Sequence, residues 1–249
     1  QASTGQSNCI NADVGYYVSM SAATVQTPCA TGTYQPNLGS TYCNLASAGY
    51  YVDQTGQSSQ IACAVGTFNQ NYGSTSSSDC IGANPGHYVD QIGQSSEIAC
   101  SPGSYNPNYG STTSSACLDS DAGYYVSNYG QSSQNICELG PYQPNLGSTY
   151  CNLASAGHYV DNYGQSAQIP CSPGTYQSLT GQTSCDDADI GYYVGQPGQS
   201  SQTACSVGTY QSLAGQTSCD DADTGHYIDQ TGQSSQTPCP IGTYQSLAG

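Results

Sequence analysis

The spacing of the cysteines constrains this chain more than any other feature. The sequence contains fourteen cysteines; the number rises by 20 from Cys9 to Cys29 and by 14 from Cys29 to Cys43. These two steps alternate to the last cysteine, with 17 in place of 14 where a three-residue insertion occurs, as in the Ser/Thr-rich run 73–80. The chain is therefore a tandem array of 34- or 37-residue repeats. Periods of this length are typical of solenoids and strings of small modules, in which each repeat contacts mainly its neighbours.

Each repeat contains a second symmetry. Aligning the segment from Cys205 with the segment from Ala222 superposes Gly, Tyr, Gly, Gln and Ser, so each repeat consists of two similar halves. One half, here the cysteine half, begins and ends with cysteine. In the other, the cysteine-free half, the opening residue is Ala12, Ala46, Ala83, Ser120, Ala154, Ala188 or Ala222, and the closing residue is Gln26, Gln60, Glu97, Gln134, Gln168, Gln202 or Gln236. Counting between cysteines predicts a partial repeat at 1–8, repeats at 9–42, 43–79, 80–116, 117–150, 151–184 and 185–218, and an incomplete repeat at 219–249.

The joint loss of both cysteines from every second half bears on disulfide pairing, which spacing alone does not give. If a bridge links the two cysteines of one half, losing one makes the other useless, and both disappear together. This favours Cys29–Cys43, Cys63–Cys80, Cys100–Cys117, Cys137–Cys151, Cys171–Cys185 and Cys205–Cys219. The competing scheme pairs cysteines across the constant interval of 20 and leaves no free thiol at either end.

The favoured scheme leaves Cys9 and Cys239 without partners. Two explanations remain open. The chain is a window on a longer array, or copies join end to end through an inter-chain disulfide between Cys239 of one copy and Cys9 of the next.

A conventional hydrophobic core is excluded by composition. Leu, Ile, Val and Phe together number 30, and the net charge is -16. Such a chain would normally be disordered, but closing a loop of about 15 residues restrains the unfolded state by roughly 3 kcal/mol. We therefore predict an all-β, small disulfide-rich fold, an elongated tandem-repeat rod in which covalent bridges replace most of the core.

The local sequence of each half predicts a short β unit. Glycines after Cys-x-x and in Gly-Gln-Ser or Gly-Ser-Thr supply positive φ at turns, and Tyr-Tyr-Val, His-Tyr-Val and Thr-Tyr-Gln favour strands. Aromatic residues recur at fixed places, which indicates packing rather than ligand binding. These residues are Tyr17, Tyr51, Tyr88, Tyr125, Tyr159, Tyr193 and Tyr227 in one series, and Tyr34, Phe68, Tyr105, Tyr142, Tyr176, Tyr210 and Tyr244 in the other.

The motif Cys-x-x-Gly-Thr-Tyr-Gln followed by Gly-Gln-Thr-Ser-Cys resembles the cysteine-rich modules of tumour necrosis factor receptors and ephrin-receptor-like repeats. It is also similar to the tandem arrays of giant secreted surface proteins of marine microbes. The resemblance covers essentially the whole chain and implies a bridge from the Cys-x-x-Gly cysteine to the next cysteine, within an extended rod. The family's Cys-x-x-Cys is Cys-x-x-Ala here, as in Cys43–Ala46, which halves the usual cross-linking.

The charge pattern excludes several partners. With no Lys or Arg, the chain cannot neutralise phosphates, so we expect no nucleic acid and no anionic lipid partner. No apolar run approaches the roughly 18 residues that span a bilayer, and no basic-then-apolar leader is present. There is no Asn-x-Ser/Thr sequence, whereas the many Ser and Thr hydroxyls offer sites for O-linked glycans.

No combination of residues predicts an active site or a cofactor. His87, His158 and His226 occupy places where other repeats have tyrosine, and no Gly-x-Ser-x-Gly motif or Cys-x-x-Cys spacing occurs. The residues that could attract calcium are the acidic clusters after two cysteines, although a solvated acidic face explains them better. These candidates are Asp186, Asp187, Asp189, Asp220, Asp221 and Asp223.

The sequence thus predicts a structural protein of the extracellular space or cell surface, without enzymatic activity. It would serve as a filament or fibre subunit or a stalk, and would self-associate head to tail or within a filament. The alternative is an adhesin or receptor-like binding module. Met20–Val25 favours that alternative because it replaces the usual Gly-Gln-Ser turn, but a terminal cap or assembly contact explains the change equally well.

Overall fold

The computed structural model describes residues 8–249 and contains β-hairpins throughout. The predicted partial repeat at 1–8 lies outside the described residues except for Asn8. The described chain forms two compact units. The first extends to Asp119 and includes 128–133, and the second comprises 120–127 and 134–249.

The described residues form twenty-six strands of two residues each and two short 3-10 helices. The strands are β1 (Tyr16–Tyr17), β2 (Thr27–Pro28), β3 (Thr33–Tyr34), β4 (Asn44–Leu45), β5 (Tyr50–Tyr51), β6 (Ile61–Ala62), β7 (Thr67–Phe68), β8 (Ile81–Gly82), β9 (His87–Tyr88), β10 (Ile98–Ala99), β11 (Ser104–Tyr105), β12 (Leu118–Asp119), β13 (Tyr124–Tyr125), β14 (Asn135–Ile136), β15 (Pro141–Tyr142), β16 (Asn152–Leu153), β17 (His158–Tyr159), β18 (Ile169–Pro170), β19 (Thr175–Tyr176), β20 (Asp186–Asp187), β21 (Tyr192–Tyr193), β22 (Thr203–Ala204), β23 (Thr209–Tyr210), β24 (Asp220–Asp221), β25 (His226–Tyr227) and β26 (Thr237–Pro238). The helices are η1 (Ser77–Asp79) and η2 (Ser114–Ala116).

Consecutive strands pair antiparallel to give thirteen hairpins, one for each half from Ala12 to the half that opens at Ala222. The first strand of a half follows its glycine turn, and the second strand follows its closing residue. In β3–β4, for example, Thr33 pairs with Leu45 and Tyr34 pairs with Asn44. An isolated two-stranded hairpin is marginally stable at best, so hairpins this short depend on cross-links and on neighbouring halves.

Left-handed glycines make the turns that the sequence predicted. Gly32, with φ of 80°, precedes β3, and Gly39, with φ of 69°, lies in the loop between β3 and β4. Glycine adopts positive φ without the steric cost that a Cβ imposes. Both places recur along the array, and Ala22 is the one residue other than glycine with positive φ among the described residues.

The three-residue insertions of the longer halves become the 3-10 helices. Helix η1 ends just before Cys80 and η2 ends just before Cys117. At η1, the Ser76 hydroxyl accepts from the Ser78 amide, and the Asp79 carboxylate accepts from the Ser76 amide at 3.0 Å. The insertion is thereby taken up next to the closing cysteine, and β7 still pairs with β8.

Buried apolar residues are few and scattered, as composition requires. Within residues 8–249, one cluster of buried apolar side chains forms, from Phe68, Ala83 and Val89. The nearly all-β, disulfide-rich repeat fold predicted from the sequence is confirmed. The interior alternates along the chain because cysteine-free halves bury an aliphatic side chain where cysteine halves bury an amide. The aliphatic residues are Val52, Val89, Val126, Val160, Val194 and Ile228; the amides are Gln35, Asn69, Asn106, Gln143, Gln177 and Gln211.

Candidate functional site

Disulfides close six cysteine halves, and each joins the two cysteines of one half. The bridges are Cys29–Cys43, Cys63–Cys80, Cys100–Cys117, Cys137–Cys151, Cys171–Cys185 and Cys205–Cys219. Their Cα–Cα distances of 5.6 to 5.9 Å are ordinary for disulfides. Each opening cysteine is buried and each closing cysteine is half-buried. The disulfide therefore links the start of the second strand of a hairpin to the buried opening residue of the same half.

A side-chain hydrogen bond replaces the disulfide in the cysteine-free halves. The closing glutamine or glutamate reaches across the hairpin and accepts a bond from the backbone N–H that follows the opening residue. For instance, Gln60 Oε1 accepts from the Ser47 amide at 2.7 Å, next to the buried Ala46. The same bond is made by Gln26, Glu97, Gln134, Gln168, Gln202 and Gln236, at 2.6 to 2.7 Å.

Four of these closures are reciprocal. Gln26 Oε1 accepts from the Asp13 backbone N–H, and Gln26 Nε2 donates to Asp13 Oδ2 at 2.7 Å, so the two residues exchange hydrogen bonds across the hairpin. Gln134, Gln202 and Gln236 make the same pair of bonds to Asp121, Asp189 and Asp223. Every described half with both ends present therefore has a closure, either covalent or hydrogen-bonded. Sequence comparison of the two halves showed the substitution but gave no role to the glutamine.

A buried amide braces the loop of each closed cysteine half. Gln35 Nε2 donates to the Tyr42 carbonyl at 2.7 Å, and its Oε1 accepts from the Asn37 amide at 3.0 Å. The longer halves have asparagine, with its shorter side chain, at this place. In the first of them, Asn69 Nδ2 donates to Ser74 Oγ at 2.7 Å. Buried polar groups must be paired to be tolerated. The buried amide therefore requires this loop conformation, and its hydrogen bonds in turn stabilise the loop.

Successive halves are joined by backbone hydrogen bonds. The Gly15 amide donates to the Gln35 carbonyl of the next half at 2.7 Å, and the Gly39 amide donates back to the Ala12 carbonyl at 2.8 Å. Equivalent bonds recur along the array, as between Gly32 and Val52. The hairpins thus stack through main-chain bonds, which do not depend on apolar side chains.

Glycine also permits contact with the half after next. A Cβ added at Gly15 would overlap the carbonyl oxygen of Gly56, and one added at Gly49 would overlap that of Gly93. Aromatic side chains of the earlier half also lie close to these glycines. A Cβ added at Gly93 would lie 2.7 Å from Tyr50 Oη, and one added at Gly130 would lie 2.8 Å from His87 Cε1. The halves that open at Ala12 and Ala46 therefore approach the half after next, which belongs to the adjacent repeat.

The first and last described halves each have an open edge. Cys9 and Cys239 are unpaired, the first exposed and the second half-buried. Cβ atoms added at Gly225 and Gly242 would meet no atom within 4 Å, although their counterparts along the array meet a glycine carbonyl. Within residues 8–249, no later half is described that would contact these two glycines.

An open cleft of about 900 Å³ lies on the first described half. Its walls include Ile10, Val18, Met20 and Val25. Met20 and Val25 are exposed, so the segment that departs from the usual turn forms an apolar surface.

The acidic residues do not converge on a metal site. Among residues 8–249, no group of three or more His, Cys, Asp and Glu side chains is placed to hold a metal ion. The calcium candidates Asp186, Asp187, Asp189, Asp220, Asp221 and Asp223 do not form such a group. Asp186–Asp187 and Asp220–Asp221 form strands β20 and β24, while Asp189 and Asp223 accept hydrogen bonds from closing glutamines.

Acidic side chains instead affect a tyrosine. Tyr176 pairs with Asp186 across β19–β20. Burial, followed by the charges of Asp189 and Asp186, raises the pKa of Tyr176 above its usual value of 10.0. The neutral phenol is thus the form that the folded protein favours.

Comparison with known proteins gives no family assignment. No protein-family model matches the chain, and no curated protein is significantly similar to it. The structure supports the broad class of cysteine-rich tandem repeats, and its six disulfides indicate an oxidising environment. In the part of the chain that the structure describes, no helix has the length and apolar character needed to cross a membrane.

Proposed function

We propose that this is a structural protein of the extracellular space, a subunit of a filament or fibre or a stalk on a cell surface. The observation that carries the proposal is the uninterrupted series of closed hairpins, each bonded through its backbone to the next. A fold that places its cross-links in every repeat resists local opening without needing a large apolar core.

The composition supports durability outside the cell. No Lys or Arg is present, so proteases that cleave after basic residues have no site in the chain. The net charge of -16 keeps a polar, glycine-rich surface in solution. The resemblance to arrays in giant secreted surface proteins points to the same role.

Electron microscopy of the native material, before and after thiol reduction, tests the structural role. We expect fibres or surface stalks that lose their shape once the six disulfides are reduced. Native material that consists of isolated, unattached monomers would contradict the role, and so would fibres whose shape survives complete reduction.

A binding role is the second candidate, and the apolar cleft around Met20 and Val25 favours it. An adhesin would lose attachment to its target when Met20→Asp places a charge in the cleft, whereas Ile92→Asp, at an exposed turn elsewhere, would not affect attachment. Equal attachment by both variants in a cell-adhesion assay would exclude this cleft as the binding site.

A further inference from the structure

We propose that one row of exposed apolar side chains on the first compact unit is a contact surface between two copies of this chain. The row belongs to the three cysteine halves that open at Cys29, Cys63 and Cys100. Its members, here called the apolar row, are Leu38, Leu45, Tyr72, Ile81, Tyr109 and Leu118. The inference rests on the proposed structural function and deepens it, because it names the partner and the surface through which copies associate.

The three cysteine halves are consecutive members of one stack. A Cβ added at Gly32 would overlap the carbonyl oxygen of Gly73, and one added at Gly66 would lie 2.6 Å from the carbonyl oxygen of Gly110. Each of these contacts joins one cysteine half to the next cysteine half. Cysteine-free halves contact each other in the same way, so the loops of the two kinds of half form two rows.

Contacts between neighbouring cysteine halves make the apolar row continuous. Leu45 Cδ2 lies 3.2 Å from the position of a Cβ on Gly73, the residue after Tyr72. The Tyr109 hydroxyl accepts a hydrogen bond from the Gly82 amide at 3.0 Å, and the tyrosine ring lies directly against this glycine at the end of β8. Loop and strand side chains of successive halves therefore adjoin one another along the row.

The fold does not require apolar residues in these loops. Leu38, Tyr72 and Tyr109 occupy equivalent places next to the loop glycine and are 63%, 71% and 65% exposed. In a cysteine-free half, Thr55 has this place, and Gly56 still makes the turn with φ of 74°. A polar side chain is thus sufficient for the turn. Adjoining exposed apolar side chains are typical of an interaction surface.

The apolar row is nearly free of charge. Segments 29–45 and 100–118 contain no Asp, Glu or His, and segment 63–82 contains one acidic residue, Asp79. Two copies can therefore bring their rows together without burying many like charges. The centre of a protein interface is typically poor in charge and rich in aromatic residues, as this row is. The other acidic residues of the unit are Asp13, Asp53, Asp90, Glu97 and Asp119.

A second copy is the occupant that this chemistry favours. The chain has no Lys or Arg, so the row does not attract an anionic partner, and a cationic partner would favour the acidic cysteine-free halves. A neutral glycan would stack its sugar rings on aromatic side chains, but most members of the row are aliphatic. A second copy supplies the same apolar, uncharged surface, and two-fold pairing places identical residues on both sides.

The later halves of the second compact unit do not repeat this surface. Asp186–Asp187 and Asp220–Asp221 form the strands that correspond to Asn44–Leu45 and Ile81–Gly82 of the first unit. Carboxylates thus replace aliphatic side chains at these places. We therefore expect two copies to pair through their first units.

Sedimentation of the full chain at increasing concentration, with Cys9 and Cys239 alkylated, tests the contact. The parent should form dimers reversibly, and Tyr72→Asp should weaken dimerisation by about tenfold or more, because a charge replaces a buried ring. Tyr129→Asp is the matched control, since Tyr129 precedes the loop glycine of a cysteine-free half and is 69% exposed. Equal dimerisation by the two variants, or a parent chain that stays monomeric, would overturn the proposal.

A pair of leucine variants tests the surface at a second place. Leu38→Asp should weaken dimerisation, whereas Leu179→Asp, at a similarly exposed loop of the second unit, should dimerise as the parent does. Neither leucine is buried, so both variants should keep the parent fold. If Leu179→Asp weakens the dimer as much as Leu38→Asp does, the contact is not made by the apolar row.

Salt and sugar distinguish the apolar contact from other contacts. Dimerisation of the parent should tighten as NaCl rises, because screening weakens repulsion between chains of net charge -16. Dimers that dissociate in salt or in a chelator would mean that cations bridge acidic side chains, and would overturn the proposal. Monomers that bind cellulose through Tyr72 would assign the row to a neutral glycan instead of a second copy.

Electron microscopy separates this inference from the structural function. Parent fibres that lie side by side, together with Tyr72→Asp fibres that remain single, would support both. Tyr72→Asp fibres that associate like those of the parent would overturn the inference and leave the structural function standing. Native chains that form no fibre or stalk, but still give dimers sensitive to Tyr72→Asp, would overturn the function and leave the interface standing.

Discussion

At the scale of single residues, glutamine closes the cysteine-free halves of this protein, as a disulfide-bonded cysteine closes the neighbouring halves. The Gln60 side chain links the two ends of its own half, as the Cys29–Cys43 disulfide links the two ends of the preceding half. Gln60 binds a backbone N–H rather than another side chain. A hydrogen bond of this kind contributes roughly 1 kcal/mol, less than a disulfide. The alternation therefore places a strong closure beside a weaker closure along the whole array.

Gln60→Ala should remove protection from the Ser47 amide. The amide loses its acceptor, so we expect its hydrogen exchange to accelerate and the protein to lose about 1 kcal/mol of stability. Amide exchange followed by NMR measures the first effect, and denaturant unfolding measures the second. Gln54→Ala, at an exposed position of the same half, is the matched control. If Ser47 remains as protected as in the parent, the closure does not stabilise the hairpin.

The pKa of Tyr176 predicts a loss of stability at alkaline pH. Since burial and two carboxylates raise the pKa of this phenol in the folded state, its contribution is complete below about pH 10, the pKa of a free tyrosine. The contribution is lost as pH rises through the higher folded pKa. Tyr176→Phe should therefore lose less stability than the parent between these pH values, as measured by urea unfolding. An identical loss in both proteins would remove Tyr176 as a cause.

At the scale of the hairpin, the two kinds of closure should be interchangeable. In Ala46→Cys/Gln60→Cys, both new cysteines occupy the slots that bridged cysteines take in the neighbouring half, so a seventh disulfide should form. We expect a mass two hydrogens lower than the reduced form and a gain in stability of up to about 3 kcal/mol. Ala46→Ser/Gln60→Ser serves as the control without sulfur. Alkylation of both new thiols in the folded protein would contradict the equivalence of the slots.

Substituting the glycines that precede each hairpin distinguishes the cost of positive φ from the cost of disturbing the packing between halves. Gly49 and Gly225 hold the same place with φ of 88° and 81°, but only a Cβ at Gly49 would overlap a carbonyl oxygen. Gly225→Ala should cost roughly 1 to 2 kcal/mol from positive φ alone. Gly49→Ala should cost about 1 to 3 kcal/mol more because the backbone of another half must move. Equal losses in thermal denaturation would contradict close packing at Gly49.

The hairpins were predictable from sequence, whereas most contacts between them were not. Cysteine spacing, glycine turns and paired loss of cysteines predict short β units, because these signals act within a single half. One bond within a hairpin, from the Ser47 amide to Gln60, is not predictable either, since a glutamine in a polar sequence carries no signal of its own. The close approach of Gly49 to the Gly93 carbonyl is not predictable either, because it depends on how successive hairpins are placed relative to one another.

At the scale of the whole molecule, stability should be local because the described hydrogen bonds and glycine contacts join a half to the next half or to the one after it. Gly174 illustrates the range, since its amide bonds to Val194 of the next half and an added Cβ would overlap Gly215 of the half after that. In such arrays stability is approximately a sum of repeat and nearest-neighbour contributions. Damage to one closure should therefore weaken a limited stretch.

Removal of one disulfide by Cys171→Ala/Cys185→Ala tests this range. Hydrogen exchange should accelerate in the half that opens at position 171 and in the two halves on either side, together about 137–222, with a local loss of roughly 3 kcal/mol. Residues 29–99, several halves away, should exchange as in the parent. The reciprocal variant Cys29→Ala/Cys43→Ala should leave the region 171–222 unchanged. Loss of protection along the entire chain from either variant would mean that the array unfolds as one cooperative body.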